Sequence, residues 1–157
     1  DLAPTVKGCL FEPPGDTSFD EKYLLLYRDD IVLVLLNRYP YANGHLLVAP
    51  LRHISSLTEL EALENQALME MLQHCVNILT THYSPDGWNI GCNIGESAGA
   101  GIADHLHFHI VPRWDGDHNF MTVLADLRTI PEHISQTFNQ LLPDFLKLLS
   151  RKTNQTK

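Results

Sequence analysis

The run HLHFHIVP at residues 105–112 leaves a chain little choice of local structure. Polar and apolar residues alternate strictly along its first six positions. Only the two-residue period of a β-strand separates them cleanly, because successive strand side chains point to opposite faces. His105, His107 and His109 then line one face. Leu106, Phe108 and Ile110 line the other and must be buried against something. A half-buried strand often looks like this, but here the polar face is entirely imidazole. The chain has nine histidines among 157 residues, and three of them fall within these five positions.

The remaining sequence supplies a sheet and its cover. Short apolar runs at residues 23–27 (YLLLY) and 31–36 (IVLVLL), joined by Arg28, Asp29 and Asp30, read as a hairpin of buried strands. Residues 37–44 (NRYPYANG) read as a loop, and residues 45–49 (HLLVA) as a third strand stopped by Pro50. Thr58 with Glu61 three residues later reads as a capping box. The helix after it places Leu60, Leu63, Ala67, Leu68, Met71, Leu72, Cys75, Val76, Ile78 and Leu79 toward the core, with Glu61, Glu64, Glu70 and Gln73 toward water. Ser84-Pro85-Asp86-Gly87 ends that helix. A fourth strand (88–94), a glycine-rich loop (95–104) and the histidine strand (105–113) follow. Thr129-Ile130-Pro131-Glu132 gives a second capping signal, for a last helix running to about residue 149 and bent near Pro143. Residues 1–21, with Pro4, Pro13, Pro14, Gly8 and Gly15, read as irregular, and 151–157 as a flexible tail. The expectation is one α+β domain over residues 1–150 with an antiparallel sheet, since alternating βα units are absent.

Composition narrows the function. Hydrophobic residues are 44% and charged residues 19%, an ordinary globular mix. Eleven Lys and Arg against 19 Asp and Glu give a net charge of −8, which argues against a nucleic-acid or acidic-membrane binder. The longest apolar run is six residues, too short for a membrane span. No basic then apolar segment opens the sequence, so no secretory leader is expected. Cys9, Cys75 and Cys92 are odd in number and widely spaced, which suits a reducing, cytoplasmic setting rather than a disulfide framework.

Three imidazoles on one strand allow two chemistries. They could hold a metal, but on a straight strand they span about 13 Å at 3.3 Å per residue, and convergence of all three requires a marked bend. Alternatively the central imidazole is a nucleophile or base and its neighbours assist, which suits two-step covalent attack on phosphorus. Gly95, Gly99 and Gly101, with Asn93 and Ser97, lie just before the histidines. Glycines let a backbone approach a ligand and aim N–H groups at an anion, so the combination describes a phosphate site.

HLHFHIVPRW resembles the His-x-His-x-His motif of the histidine triad (HIT) superfamily, and NRYPYANGHLLVAP with Arg52-His53 resembles its upstream strand and loop. Residues 98–104, Gly116-Asp117-His118-Asn119-Phe120-Met121 and the C-terminal helix resemble the bacterial branch near dinucleoside-polyphosphate phosphorylases and fragile-histidine-triad hydrolases. The resemblance implies a HIT-like fold: a five-stranded antiparallel sheet, a long helix after strand 3, a C-terminal helix, and a homodimer. It implies that His107 is the nucleophile attacking the α-phosphorus of a nucleotide. His109 would contact the α-phosphate, and His45 and His105 would support the network. Asn37 would lie near the ribose, and Asn93, Gly95, Ser97, Gly99 and Gly101 on the phosphate side. Leu36, Leu35 and Ile31 are candidates for either a base pocket or the core. The alternatives left open are a non-catalytic nucleotide-binding module and a metal protein using the histidine strand.

The sequence departs from the family pattern in places. Many members carry an N-terminal Cys-x-x-Cys that helps bind zinc, whereas Cys9 is followed by Leu10, Phe11 and Glu12. Structural zinc is therefore not expected, and Cys9, Glu12, His53 and His105 remain only as an atypical set. No cofactor is required, although a divalent metal could ride on the substrate phosphates. His109 where a Gln would resemble hexose-1-phosphate uridylyltransferases disfavours that branch. Ala100-Gly101, lacking a serine, weakens phosphorolysis relative to hydrolysis. Cys75 and Cys92 read as small buried hydrophobes, and His74, His82 and His133 as surface residues.

Overall fold

A computed structural model of the chain describes residues 8–117 and 133–155. Strands β1 (Leu25–Arg28), β2 (Val32–Leu36), β3 (Leu46–Pro50), β4 (Gly87–Gly91) and β5 (Phe108–Arg113) form one antiparallel sheet in the order β1-β2-β3-β5-β4. The helices are α1 (Asp20–Tyr23), α2 (Ala62–Tyr83) and α3 (Ile134–Gln155). This is the expected α+β architecture.

Every residue of β2 and β3 is buried, so neither strand shows polar alternation. The reason is that the sheet is covered twice. Val32, Val34, Leu36, Leu46, Val48 and Ile110 pack against Leu68, Met71, Leu72, Cys75 and Leu79 of α2 and Phe138, Leu141 and Phe145 of α3. On the other face Leu25, Leu33, Leu35, Leu47 and Ala49 pack against Phe11, from the N-terminal arm. Burying each Val, Leu, Ile, Met or Phe side chain among them contributes about 1.5–3 kcal/mol. Leu35 and Leu36, candidates for a base pocket, are thus core residues, one on each face.

The arm is fastened by β1. Arg28 donates to the carbonyls of Pro13 (3.0 Å), Pro14 (3.0 Å) and Gly15 (3.4 Å). Past it, Asp16 caps a 3-10 turn at Thr17–Phe19, which leads into α1. The expected irregular stretch is therefore helical from 17 onward, and Tyr23 closes α1 instead of opening a strand.

Several boundaries differ from expectation. Thr58 does not start α2. It lies inside a 3-10 turn, Leu57–Glu59, capped by Ser56 and Glu59, and Leu60 is extended. The helix begins at Ala62 behind Glu61, whose N–H donates to Glu64 (2.8 Å). That shift leaves Leu63 70% exposed and turns Glu64 inward, where Arg52 binds both its oxygens (2.9 and 2.7 Å). At the other end Ser84, left-handed, donates to the Thr80 carbonyl. β4 stops at Gly91, and Cys92 beyond it is only partly buried, unlike Cys75. The helix α3 runs through Pro143 to Gln155, past the expected tail boundary. His82, expected at the surface, joins α2 to Asp144 of α3 (2.8 Å). The Thr129–Glu132 capping signal and residues 118–121 lie outside the described residues.

Gly44 fixes the loop before β3. Its φ is +76°, and a Cβ there would stand 2.9 Å from Leu79 Cδ2 and 3.1 Å from Tyr83 Cε2. Only glycine combines that backbone angle with so close an approach to α2. The next residue is His45.

Candidate active site

β5 starts at Phe108, so His105 and His107 precede it. The cause is a long-range bond: the Leu106 N–H donates to the Ile54 carbonyl (2.6 Å) and draws the chain off the ladder. The three imidazoles therefore do not share one straight strand face. They sit along a bend, each with different partners.

His109 remains in the sheet. It pairs with Leu47 on β3 and Gly91 on β4, so it shares the arm-covered face with Leu47. Open space lies where a Cβ on Gly91 would stand. His45, fully buried, places Nε2 2.9 Å from His109 Nδ1. The Tyr41 backbone N–H donates to His45 Nδ1 (3.0 Å). This network assigns the tautomers. His45 Nδ1 is an acceptor, so its proton is on Nε2 and is donated to His109 Nδ1. His109 in turn carries its proton on Nε2. A doubly protonated His109 would oppose the His45 N–H, and burial, then the neighbouring His107, hold the His109 pKa below its ordinary value.

His107 is assigned the opposite way. Its Nδ1–H donates to the His105 carbonyl (2.8 Å), which leaves the lone pair on Nε2. Burial holds its pKa below the ordinary imidazole value, although the His105 carbonyl pulls upward. The ring is only 4% exposed. Phe11 stacks on it with centroids 4.7 Å apart and planes 29° apart, and also lies 5.1 Å from His105. A neutral imidazole with an oriented Nε2 lone pair is what nucleophilic attack on phosphorus needs.

His105 faces elsewhere. Its Nε2–H donates to the Pro50 carbonyl (2.9 Å), and its Nδ1 lies 3.3 Å from Cys9 Sγ. Burial pushes the Cys9 thiol pKa up, so the S–H is the donor in that pair. His53 stands edge-on to His105 at 4.8 Å and donates Nδ1–H to Glu12 Oε1 (3.1 Å). Ligand atoms of Cys9, His53 and His105 lie within 4.8 Å of one another, the one such metal-competent group among the described residues. His105, His107 and His109 do not by themselves form such a group. The zinc that the resemblance implies fits the residues present in one respect, a converging thiol and two imidazoles, and the set departs from the expected one in lacking a second thiol.

The other expected residues are positioned less tightly. Asn37 accepts from the Tyr39 N–H (3.0 Å) and sits with Nδ2 3.3 Å from both His45 nitrogens. The loop after β4 leaves the sheet beside His109, since Gly91 is its partner. Gly95 (φ +81°) and Gly99 (φ +82°) bracket a 3-10 turn, Glu96–Ala98. The N–H groups of Ala98 and Ala100 bond to Gly95 and that of Gly99 to Glu96, so these three are used within the loop. Asn93 braces it by donating to the Gly99 carbonyl (3.3 Å). Ser97 and Gly101 are exposed. Phe11, Tyr41 and the Pro50 carbonyl are contributors that sequence reasoning missed.

A family model described as HIT domain matches residues 19–116. An AP-4-A phosphorylase from Mycobacterium tuberculosis is 40% identical over 128 residues, covering 82% of this chain and 66% of that protein. The chain thus spans just under two thirds of that relative's length. Among solved structures, a hypothetical histidine triad nucleotide-binding protein from Sulfolobus tokodaii superposes with a TM-score of 0.66 at 24% identity, covering 89% of this chain and 93% of the other. A zinc-bound histidine triad family protein from Mycobacterium smegmatis gives 0.63 at 26% identity, covering 82% and 87%.

Proposed function

From the premise that the chain belongs to the HIT, or histidine triad, family, we propose that it is a nucleotidyl-transfer enzyme that cleaves a dinucleoside polyphosphate through a covalent intermediate on His107. The observation that carries this reading is the Nδ1–H bond from His107 to the His105 carbonyl, which aims a neutral Nε2 lone pair. That lone pair attacks the α-phosphorus, a P–N bond forms, and the P–O bond to the remaining polyphosphate breaks with its electrons on the leaving oxygen. The imidazole becomes cationic as it bonds, and its Nδ1–H bond to the carbonyl strengthens with the charge. His109 offers Nε2–H to a phosphoryl oxygen, held in that tautomer by His45. Water or inorganic phosphate then attacks the same phosphorus and returns His107. The 40% identical phosphorylase supports phosphate as the acceptor.

Asn37 is proposed beside the ribose. Asn93, Gly95, Ser97, Gly99 and Gly101 are proposed on the phosphate side, with the Ser97 hydroxyl as the exposed donor in the loop. A divalent cation carried on the polyphosphate would ease departure of the leaving group. A cytoplasmic homodimer is part of the same reading. It is supported by β4, which ends the sheet with Ile90 45% exposed, as an edge strand awaiting a partner. No helix among the described residues is long and apolar enough to cross a membrane.

The test is incubation with diadenosine tetraphosphate, with and without inorganic phosphate, resolved by chromatography. ADP appearing only with phosphate indicates phosphorolysis, and AMP indicates hydrolysis. His107→Asn should lower turnover by at least about 10³-fold, as loss of a nucleophile does, while nucleotide binding persists. Native-rate turnover by that variant would overturn the mechanism, and binding without product from the unaltered chain would mark a non-catalytic module.

A further inference from the structure

We propose that Tyr41 is a positioning residue: its backbone N–H and its ring together hold the His45–His109 pair in the one hydrogen-bond direction that leaves the His109 proton on Nε2. The effect on turnover rests on the nucleotidyl-transfer reading, whereas the contacts around the pair stand apart from it. Two imidazoles joined nitrogen to nitrogen can share their bond in either direction. His45 Nε2 and His109 Nδ1 are 2.9 Å apart. If His45 donates, His109 carries its proton on Nε2. If His109 donates from Nδ1, its Nε2 keeps a lone pair, which repels a phosphoryl oxygen. The two neutral forms differ only in where protons sit, so a third group must choose. The Tyr41 N–H does so by donating to His45 Nδ1 (3.0 Å), which denies that nitrogen a proton. Asn37 Nδ2 stands 3.3 Å from both His45 nitrogens and favours neither.

The ring of the same residue covers the pair. Its centroid lies 4.7 Å from that of His45, with planes 44° apart, and 6.2 Å from that of His109, with planes 14° apart. His45 is fully buried while Tyr41 is 54% exposed, so the phenol stands between the paired imidazoles and solvent. The loop that carries it is cinched. The Asn37 N–H donates to the His45 carbonyl (2.9 Å), and the His45 N–H to the Ala42 carbonyl (3.2 Å). Water admitted to the pair would offer its own donors and acceptors and blur the choice of tautomer. It would also relieve the burial that disfavours a doubly protonated His109. Among the described residues, the titratable groups against His109 are His45, His107 and Tyr41, and its sheet partners Leu47 and Gly91 carry none. No carboxylate is among them to favour the cation.

The experiment reads the imidazole nitrogens by proton–nitrogen correlation NMR in the full chain, isotope-labelled at its histidines and free of substrate. Its result is therefore independent of the proposed catalysis. His45→Asn and His109→Asn supply the assignments. The unaltered chain should show both residues protonated on Nε2, each as one tautomer. Tyr41→Ala should give mixed tautomers at His109 and raise its protonation midpoint by about one pH unit, an ordinary environmental shift. With diadenosine tetraphosphate, its kcat should fall about 10–100-fold, as misorientation does, and KM should move far less. Tyr41→Phe restores the ring and should recover the tautomer pattern and the midpoint. An unaltered tautomer and midpoint in Tyr41→Ala would overturn the role of the ring. His109 protonated on Nδ1 in the unaltered chain would overturn the whole proposal. Should Tyr41→Ala fail to fold by circular dichroism, the unaltered chain decides: a slowly exchanging His45 Nε2 proton supports the cover, and rapid exchange overturns it. Altered tautomers at native turnover would support this role and refute the catalytic use of His109.

Discussion

On one face of the sheet, two long helices lay a repeating apolar stripe over Val34, Leu46 and Ile110. On the other, an irregular arm lays a single ring, Phe11, over Leu33, Leu35 and Leu47. The helix face is redundant, since many side chains share the burial and losing one leaves the others in place. The arm face depends on fewer contacts: Phe11, the partly buried Cys9, Leu10, Tyr23, Leu51 and Ile102, the Arg28 clamp and the pairs around Cys9 and His53. The imidazoles with chemical potential lie on that less redundant face. Stability and reactivity are thus divided between the two sides of one sheet.

Paired truncations test this division most strongly. Phe11 and Phe145 are both 0% exposed. Phe145→Ala should cost about 3–5 kcal/mol of stability by denaturant unfolding, with kcat per folded molecule unchanged. Phe11→Ala should cost less, because an arm can settle into the gap where helices cannot, yet it should lower kcat by freeing His105 and His107. Equal kcat for the two variants would erase the distinction. Next in size is the clamp. Arg28→Met removes donors to three arm carbonyls. It should expose residues before 17 to limited proteolysis at an unchanged global midpoint within about 1.5 kcal/mol. Uniform protection would show that the arm does not open separately.

The smallest effect belongs to the helix side. Arg52 bonded to Glu64 holds that carboxyl below its ordinary value. A depressed folded pKa gives stability that is present above the ordinary carboxylate range and lost as pH falls through the folded value. Glu64→Gln should therefore flatten the acid side of a Tm-against-pH curve without altering its neutral limb in shape. An unchanged acid slope would remove this pair from the balance.

The division also explains what could be read from sequence. The apolar runs of β2 and β3 and the α2 stripe from Leu68 onward are local patterns, and they appear within a residue of where periodicity places them, whereas the expected start of the stripe at Leu60 and Leu63 does not. The start of β5 does not, because it is set by Leu106 bonding to Ile54, a contact distant in sequence and without a local signature. Glu64 carries a surface residue's identity and is turned inward by an arginine twelve positions earlier. Phe11 is a lone aromatic beside two prolines, yet one signal for it exists. Wholly apolar strands in an antiparallel sheet need cover on both faces, and two helices supply one. The histidine pattern identified the reactive residues as candidates, while their tautomers depend on carbonyls of Pro50 and His105 that no motif records.

Gly44 has a consequence for how this sequence can drift. A side chain at 44 would collide with Leu79 and Tyr83 on α2, so substitutions at these three positions are not independent. A lineage that trims position 79 or 83 first opens room at 44, although the positive φ still penalises anything but glycine. One that changes 44 first displaces the loop just before His45. The order of mutational steps is thereby restricted, and the glycine acts as a ratchet that ties the history of a helix surface to that of a buried imidazole.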